Sequence, residues 1–154
     1  MDEGPGVNVF LGIQVEKDKS KGTITMSQPA LIKRILKELL LDEGNVKMHD
    51  TPANRILVKD SEEPNRVQDW NYRSVIGMLM FLTSSTRPGI LFSVHQCVKF
   101  NSCPKRSYEE AVKQIGKYLK RTQDKGKIMR PDGTNELNCY VDADFAGIFT
   151  RKTS

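Results

Sequence analysis

The chain has 154 residues and a formal net charge of +5, a length that fits one ordinary domain or parts of two small ones. Hydrophobic residues make up 38% of the chain, enough for a modest core, but no apolar run reaches the roughly 18 residues of a membrane span. The first residues lack the features of a secretory signal, and three cysteines at unpatterned spacing favour a reducing compartment, so we expect an intracellular protein without a membrane segment.

The N-terminal part of the chain has the pattern of a β-hairpin followed by a helix. Two runs rich in β-forming residues, 7–16 and 23–26, flank a loop that contains Gly22. Ser27 lies where a helix N-cap is expected, and Pro29 suits the first turn of a helix. Apolar residues then recur at the spacing of one helix face: Leu31, Ile32, Ile35, Leu36 and Leu39. We therefore predict a helix that buries this face.

The next segment, residues 41–69, has the composition of a connection. It is polar and contains Pro52 and Pro64, which predicts irregular structure with a short extended piece at 55–58. A connection of this length is typical of a flexible or functional loop. We expect it to divide the chain into two structural parts.

Three helices are predicted after this connection. The first begins near Tyr72, and Gly77 within it costs about 1 kcal/mol relative to alanine, which indicates close helix packing at that position. Thr86 is the expected cap of the second helix. The third helix opens with a capping box in which Ser107 and Glu110 each satisfy a free backbone N–H group.

Positive charge is concentrated in one stretch of the chain. Ten basic residues lie between Lys99 and Arg130 against three acidic ones, and this excess of +7 is larger than the charge of the whole chain. Four of the cations fall at helical spacing on the third predicted helix: Lys113, Lys117, Lys120 and Arg121. Such a row is either a solvated helix face or a set of contacts to a polyanion, most simply nucleic acid.

The end of the chain predicts a second hairpin and one candidate for direct chemistry. Residues 126–129 and 137–141 flank a turn-forming segment at 131–135. Asp142 and Asp144 follow, and in an extended strand both carboxylates point to the same face, where they can reach one Mg²⁺ ion. The alternative for this pair is ordinary turn chemistry. Neither histidine lies near two cysteines at zinc-ligand spacing, and no phosphate-binding or hydrolase motif occurs.

Five ordered blocks together resemble the polymerase of copia-type long-terminal-repeat retrotransposons. They are 10–13 (Phe-Leu-Gly-Ile) with the Thr-Ile-Thr-Met-Ser-Gln segment that follows the loop, 72–82 (Tyr-Arg-Ser-Val-Ile-Gly-Met-Leu-Met-Phe-Leu), 86–88 (Thr-Arg-Pro), 111–120 (Ala-Val-Lys to Tyr-Leu-Lys) and 140–147 (Tyr-Val-Asp-Ala-Asp-Phe-Ala-Gly). The blocks span nearly the whole chain. Their order makes the match specific, whereas no single block would.

Together with the predicted elements, the resemblance implies an α+β fold in four parts. These are the end of the palm with its hairpin and helix (1–48), a linker (49–70), three thumb-like and connecting helices (71–123) and a C-terminal hairpin that opens a truncated RNase H-like domain (124–154). Phe10, Leu11 and Gly12 would then lie near the primer grip.

The resemblance also implies roles for the charged residues. Lys113, Lys117, Lys120 and Arg121 would contact the phosphates of an RNA–DNA or DNA duplex. Asp142 would be the first metal-binding carboxylate of the RNase H site, with Asp144 as a second candidate. Mg²⁺ is the cofactor implied for the parent enzyme, and we expect no tight Mg²⁺ binding by this chain. The other implied partner is the remainder of the polyprotein, in a cytoplasmic particle or in the nucleus.

The chain also departs from the family. It contains neither the Tyr-x-Asp-Asp strand that carries the polymerase carboxylates nor the later RNase H carboxylates. Gly89 stands where the family has aspartate, and Phe145 stands where it has tryptophan. We therefore expect a fragment of an RNA-directed DNA polymerase that holds the template–primer duplex and does not polymerise alone. The alternatives are a stand-alone basic nucleic-acid-binding module and a non-functional relic of a transposable element.

Overall fold

The computed structural model describes residues 8–44, 46–53, 56–59, 64 and 69–130. The strands are β1 (Asn8–Phe10), β2 (Ile13–Asp18), β3 (Thr23–Ser27) and β4 (Lys127–Met129). The helices are α1 (Pro29–Glu38), α2 (Tyr72–Ser85), α3 (Leu91–Val98) and α4 (Arg106–Arg121), with a 3₁₀ turn at Pro88–Ile90 before α3. This arrangement confirms the α+β class that the sequence predicted.

The four strands form one antiparallel sheet in the order β1-β2-β3-β4. The predicted hairpin is β2–β3, and its turn is held by Asp18, whose Oδ1 accepts hydrogen bonds from the N–H groups of Ser20 (2.9 Å) and Lys21 (3.2 Å). The Ser20 hydroxyl donates to the same oxygen and is the main cause of the lowered pKa of the Asp18 carboxyl. The first β-rich run is itself folded into a hairpin, because Leu11 (φ 50°) and Gly12 (φ 76°) form a two-residue turn of the primed type.

Strand β4 pairs with β3 and thereby joins the C-terminal part of the described chain to the N-terminal sheet. Lys127 is the partner of Met26 in this register. A Cβ atom at Gly126 would collide with the carbonyl oxygen of Met26, so glycine permits the close approach of the two chains. The sequence had assigned this strand to a separate C-terminal hairpin, whose second strand at 137–141 lies outside the described residues.

Helix α1 confirms the predicted apolar face but begins differently. Ile32, Ile35, Leu36 and Leu39 are buried. The N-cap is Gln28 and not Ser27, because Ser27 still belongs to β3. The Gln28 side chain makes no capping hydrogen bond, and Pro29 occupies the first helical position as expected.

The predictions made for Gly77 and for the cap at Thr86 are wrong. Gly77 is exposed on α2, and a Cβ atom there would meet nothing within 4 Å, so no helix packs closely on it. The close approach occurs at Gly116 of α4, where a Cβ atom would lie 2.7 Å from side-chain carbons of Leu39 and Leu41. Thr86 is the C-cap of α2, and the cap residue of the following 3₁₀ turn is Arg87.

Helix α4 starts one residue before the predicted capping box. Its N-cap is Lys105 and its first residue is Arg106, so Ser107 lies inside the helix and is not the cap. The carboxylate of Glu110 pairs with the Arg106 side chain at 3.3 Å. An i,i+4 ion pair therefore stands where the capping box was predicted.

The four helices share one apolar core. Ile35 of α1, Leu79 of α2, Val94 of α3 and Ile115 of α4 are among its fully buried members. The connection after α1 contributes Leu57, and α1 packs on both α2 and α4. The sequence had suggested that the connection separates α1 from the later helices. It does not separate them, because Leu57 of the connection lies in their common core.

The sheet contributes no side chain to this core. Its apolar residues Ile13, Val15, Ile24 and Met26 are only half-buried. Within the described ranges, none of the helices has the length and apolar character needed to cross a membrane.

Candidate nucleic-acid interface

The predicted row of cations lies on the outer side of α4. Val112, Ile115 and Leu119 are buried on the inner side of this helix. Lys113 and Lys117 lie four residues apart on the opposite side of the helix and are half-buried. Arg121, the last residue of α4, is exposed and lies one turn further along the same side. The helical spacing read from the sequence therefore places these three side chains on one face.

Lys120 differs from the rest of the row because its ammonium group has acceptors within the chain. Its Nζ donates to the backbone carbonyl of Leu41 at 2.7 Å, with the carbonyls of Asp42 and Gly44 at 3.4 and 3.5 Å. These carbonyls follow the C-terminus of α1, where the partial charge of a helix is negative and favours a cation. In this structure Lys120 binds the segment that leaves α1.

Arg121 is paired with an acidic residue of the same connection. Its Nε lies 3.0 Å from Oδ1 of Asp50, and the two side chains are 54% and 78% exposed. An ion pair this exposed contributes only about 0–1 kcal/mol because water and salt screen it. A phosphate group could therefore replace Asp50 at little cost in free energy.

Lys113 and Lys117 have no hydrogen-bond or ion-pair partner among the described residues. Between them, Gln114 donates from its side-chain nitrogen to the carbonyl of Thr51 at 3.3 Å, which fixes the connection beside the row. The two ammonium groups are thus the cations of the row that are open to a new acceptor. Their role as phosphate contacts stays a prediction.

Arg87, a buried cation that contacts the turn after α4, was not among the site residues predicted from the sequence. Arg87 is 7% exposed, and its Nη1 donates to the carbonyls of Thr122 (2.7 Å) and Lys125 (3.0 Å). Its Nη2 donates to the Thr122 hydroxyl, and its guanidinium carbon lies 5.9 Å from the centre of the Tyr118 ring. An arginine inside the apolar segment of α2 and α3 was the available signal, because a buried charge needs several acceptors.

The tip of the β1–β2 hairpin is apolar and exposed. Phe10 and Leu11 are 70% and 73% exposed, and Gly12 completes the turn. These three residues were predicted to lie near a primer grip, and this geometry leaves the side chains of Phe10 and Leu11 exposed to a ligand. That role also remains a prediction.

Two carboxylates were predicted to bind Mg²⁺. Asp142 and Asp144 both lie outside the described residues.

The two described cysteines differ in exposure. Cys97 is buried, and burial raises the pKa of its thiol to about 12, against a weaker lowering by the Tyr72 hydroxyl. Cys103 is exposed. Neither thiol lies in a described group of three or more metal-binding side chains.

The chain has relatives among curated proteins. It is 30% identical to the retrovirus-related Pol polyprotein from transposon TNT 1-94 of Nicotiana tabacum, over 99% of this chain and 12% of that protein. It is 36% identical to the retrovirus-related Pol polyprotein from transposon RE1 of Arabidopsis thaliana, over 49% of this chain and 5% of that protein. It is also 37% identical to the secreted RxLR effector protein 161 of Plasmopara viticola, over 49% of this chain and 54% of that protein.

These matches show that the homologues of the chain include Pol polyproteins of plant transposons. The chain spans about an eighth or less of the length of these polyproteins. No protein-family model matches the chain. No solved structure matches it either.

Proposed function

We propose that this chain is a segment of the RNA-directed DNA polymerase of a copia-type retrotransposon, in which α4 helps to hold the RNA–DNA template–primer duplex. The transposon polyprotein that matches over 99% of the chain supports the origin. The basic outer face of α4 supports the role, because cations that neutralise phosphates supply most of the sequence-independent affinity for a duplex.

The proposal rests mainly on Lys113 and Lys117, whose ammonium groups are open to a new acceptor. Both stand on one face of α4, about 6 Å apart along its axis, and neither has a partner among the described residues. Arg121 extends the line by a further turn and is held only by an exposed ion pair. A rigid helix with a core on its other side presents these charges without further ordering, which lowers the entropic cost of binding.

Fluorescence anisotropy with a labelled RNA–DNA hybrid across a salt series tests this role. Reversing Lys113 and Lys117 to glutamate should weaken binding to every sequence alike and reduce the slope of log affinity against log salt by about 2. The matched control reverses Lys33 and Lys37, two exposed lysines with the same spacing on α1. Equal losses in the two double variants, or binding that salt does not affect, would contradict the proposal.

We do not assign polymerisation to this chain. It contains no Tyr-x-Asp-Asp motif, and the purified chain should incorporate no nucleotide on a primed RNA template with Mg²⁺. Measurable incorporation would overturn this assignment. Asp142 and Asp144 keep their proposed place as Mg²⁺-binding carboxylates of the RNase H domain of the parent enzyme, where a bound metal ion would activate water for phosphodiester cleavage.

A second candidate function is a basic nucleic-acid-binding module that works without catalysis. The apolar core shared by α1 to α4 favours it, because a core closed within the described residues can support folding without a partner. Purified chain that folds and binds the hybrid would support this function. Folded chain that binds no nucleic acid would instead support the reading as a relic.

A further inference from the structure

The sheet and the helices are connected along the chain at two places. The first is Gln28, which follows β3 and caps α1. The second is the turn at residues 122–126, which leads from α4 into β4. We call these two places the crossings. No sheet residue belongs to the described apolar core, so we expect the contacts that hold the two crossings to set the orientation of the sheet.

Two adjacent residues bind both crossings. The Thr86 hydroxyl donates to the side-chain oxygen of Gln28 at 2.9 Å, and Gln28 is 1% exposed. Arg87 donates to the carbonyls of Thr122 and Lys125 in the other crossing, at 2.7 and 3.0 Å. The end of α2 therefore contacts the entry to the sheet and the exit from it at one point. We call Thr86 and Arg87 the junction.

The chemistry of the junction favours a rigid attachment. The Arg87 guanidinium has no carboxylate partner within the described residues, so its burial depends on the carbonyls and the hydroxyl of the turn. The Thr122 hydroxyl donates to the carbonyl of Tyr118 at 2.9 Å, which leaves its oxygen free to accept from Arg87. The planar guanidinium thus sets the turn in one geometry, which a lysine cannot reproduce.

We propose that Arg87 is a positioning residue, which with Thr86 holds the sheet in a fixed orientation relative to α4. The hairpin tip, Phe10 to Gly12, and the basic face of α4 then meet one nucleic-acid duplex together. This inference rests on the proposed function for its second half. Its first half, the fixed orientation, can be measured without any ligand.

The orientation is tested by electron-spin distance measurements on the full chain. Spin labels at Lys19→Cys in the β2–β3 loop and Lys113→Cys on α4 report on the sheet and the helix, with Cys103 and Cys139 replaced by serine. Cys97 stays, because burial and the raised pKa of its thiol disfavour reaction with the label. The parent should give one narrow distance distribution, and Arg87→Lys and Thr86→Val should each broaden it. Unchanged distributions in both variants would overturn the proposal.

The matched control is Arg73→Lys. Arg73 also donates to a backbone carbonyl, that of Asn101 at 3.3 Å, but it is exposed and lies at the other end of α2. This change should leave the distance distribution narrow. Equal broadening in the control and in Arg87→Lys would show general loosening of the helices and would contradict a specific junction.

A double-mutant cycle tests whether the two surfaces act together. Phe10→Ala should weaken binding to the RNA–DNA hybrid by about fivefold in the parent, and by less than about twofold in an Arg87→Lys background. Circular dichroism and thermal unfolding check that each variant is folded. Additive effects would contradict joint action of the two surfaces. If the parent does not bind the hybrid, the proposed function fails, and the distance measurement still decides the orientation.

Discussion

The ammonium nitrogen of Lys120 lies 2.7 Å from the backbone carbonyl oxygen of Leu41, across a separation of 79 residues in the sequence. This contact ties the C-terminal part of α4 to the segment that follows α1. Lys120 is therefore engaged within the chain, as Arg121 is by Asp50, while Lys113 and Lys117 have no partner among the described residues. The distinction divides the row into residues expected to affect stability and residues expected to affect binding.

Replacement of Lys120 by methionine should lower the free energy of unfolding by about 1–2 kcal/mol, because backbone carbonyls lose a charged donor. Urea unfolding followed by circular dichroism measures this loss. The control, Lys117→Met, removes a cation without a described partner and should change stability by less than about 0.5 kcal/mol. A larger loss in the control than in Lys120→Met would contradict the distinction.

Asp50→Asn should strengthen nucleic-acid binding by about twofold, because it removes the carboxylate that competes for Arg121. The change in unfolding free energy should stay within about 0.5 kcal/mol, since the pair is exposed. Anisotropy with the RNA–DNA hybrid at low salt gives the affinity. The Arg121→Gln variant is the control, in which Asp50→Asn should produce a smaller gain. Weaker binding by Asp50→Asn would indicate that the pair orients Arg121 instead of occupying it.

Two glycine-to-alanine substitutions should have opposite effects on stability. Gly116→Ala brings a methyl group to 2.7 Å from carbons of Leu39 and Leu41, and this overpacking should cost about 1 kcal/mol after the gain in helix propensity is subtracted. Gly77→Ala meets open space and should stabilise the protein by about 0.5–1 kcal/mol. Thermal unfolding of the two variants side by side measures both. Stabilisation by Gly116→Ala would show that the leucine side chains move aside freely.

The stability of the protein should fall in alkaline solution through Cys97. Burial raises the pKa of its thiol from 9.0 to about 12, so the unfolded thiol ionises at lower pH than the folded one. The contribution is complete below pH 9.0 and is lost as the pH rises towards 12, with a limiting slope of about 1.4 kcal/mol per pH unit. Urea unfolding at several pH values measures the slope. The Cys97→Ala variant should lose stability less steeply above pH 9.0, and equal slopes would rule this contribution out.

Several features of the fold could be predicted because they depend on local spacing. The apolar positions of α1 recur every three or four residues, and Ile32, Ile35 and Leu36 are buried as that period requires. The β2–β3 hairpin followed from β-forming residues on both sides of Gly22. The same periodicity placed Lys113 and Lys117 on one side of a helix.

The failures also share a physical reason. Close helix packing was predicted at Gly77 and occurs at Gly116, because a glycine in a sequence does not show which neighbour will approach it. Ser27 was predicted as a cap, but the pairing of β3 with β2 keeps it in the strand and moves the cap to Gln28. In each case a contact distant in the sequence overrode a local preference.

The sequence by itself determined the helix faces, the β2–β3 hairpin and the row of cations, since each of these arises within a few residues of chain. Only the tertiary structure decided what those residues do for one another. It gave Lys120 and Arg121 partners in the connection after α1, and it brought Arg87 to the turn after α4, 35 residues away. Donors and acceptors so far apart are matched only when the helices pack around their common core, and no local pattern encodes that match.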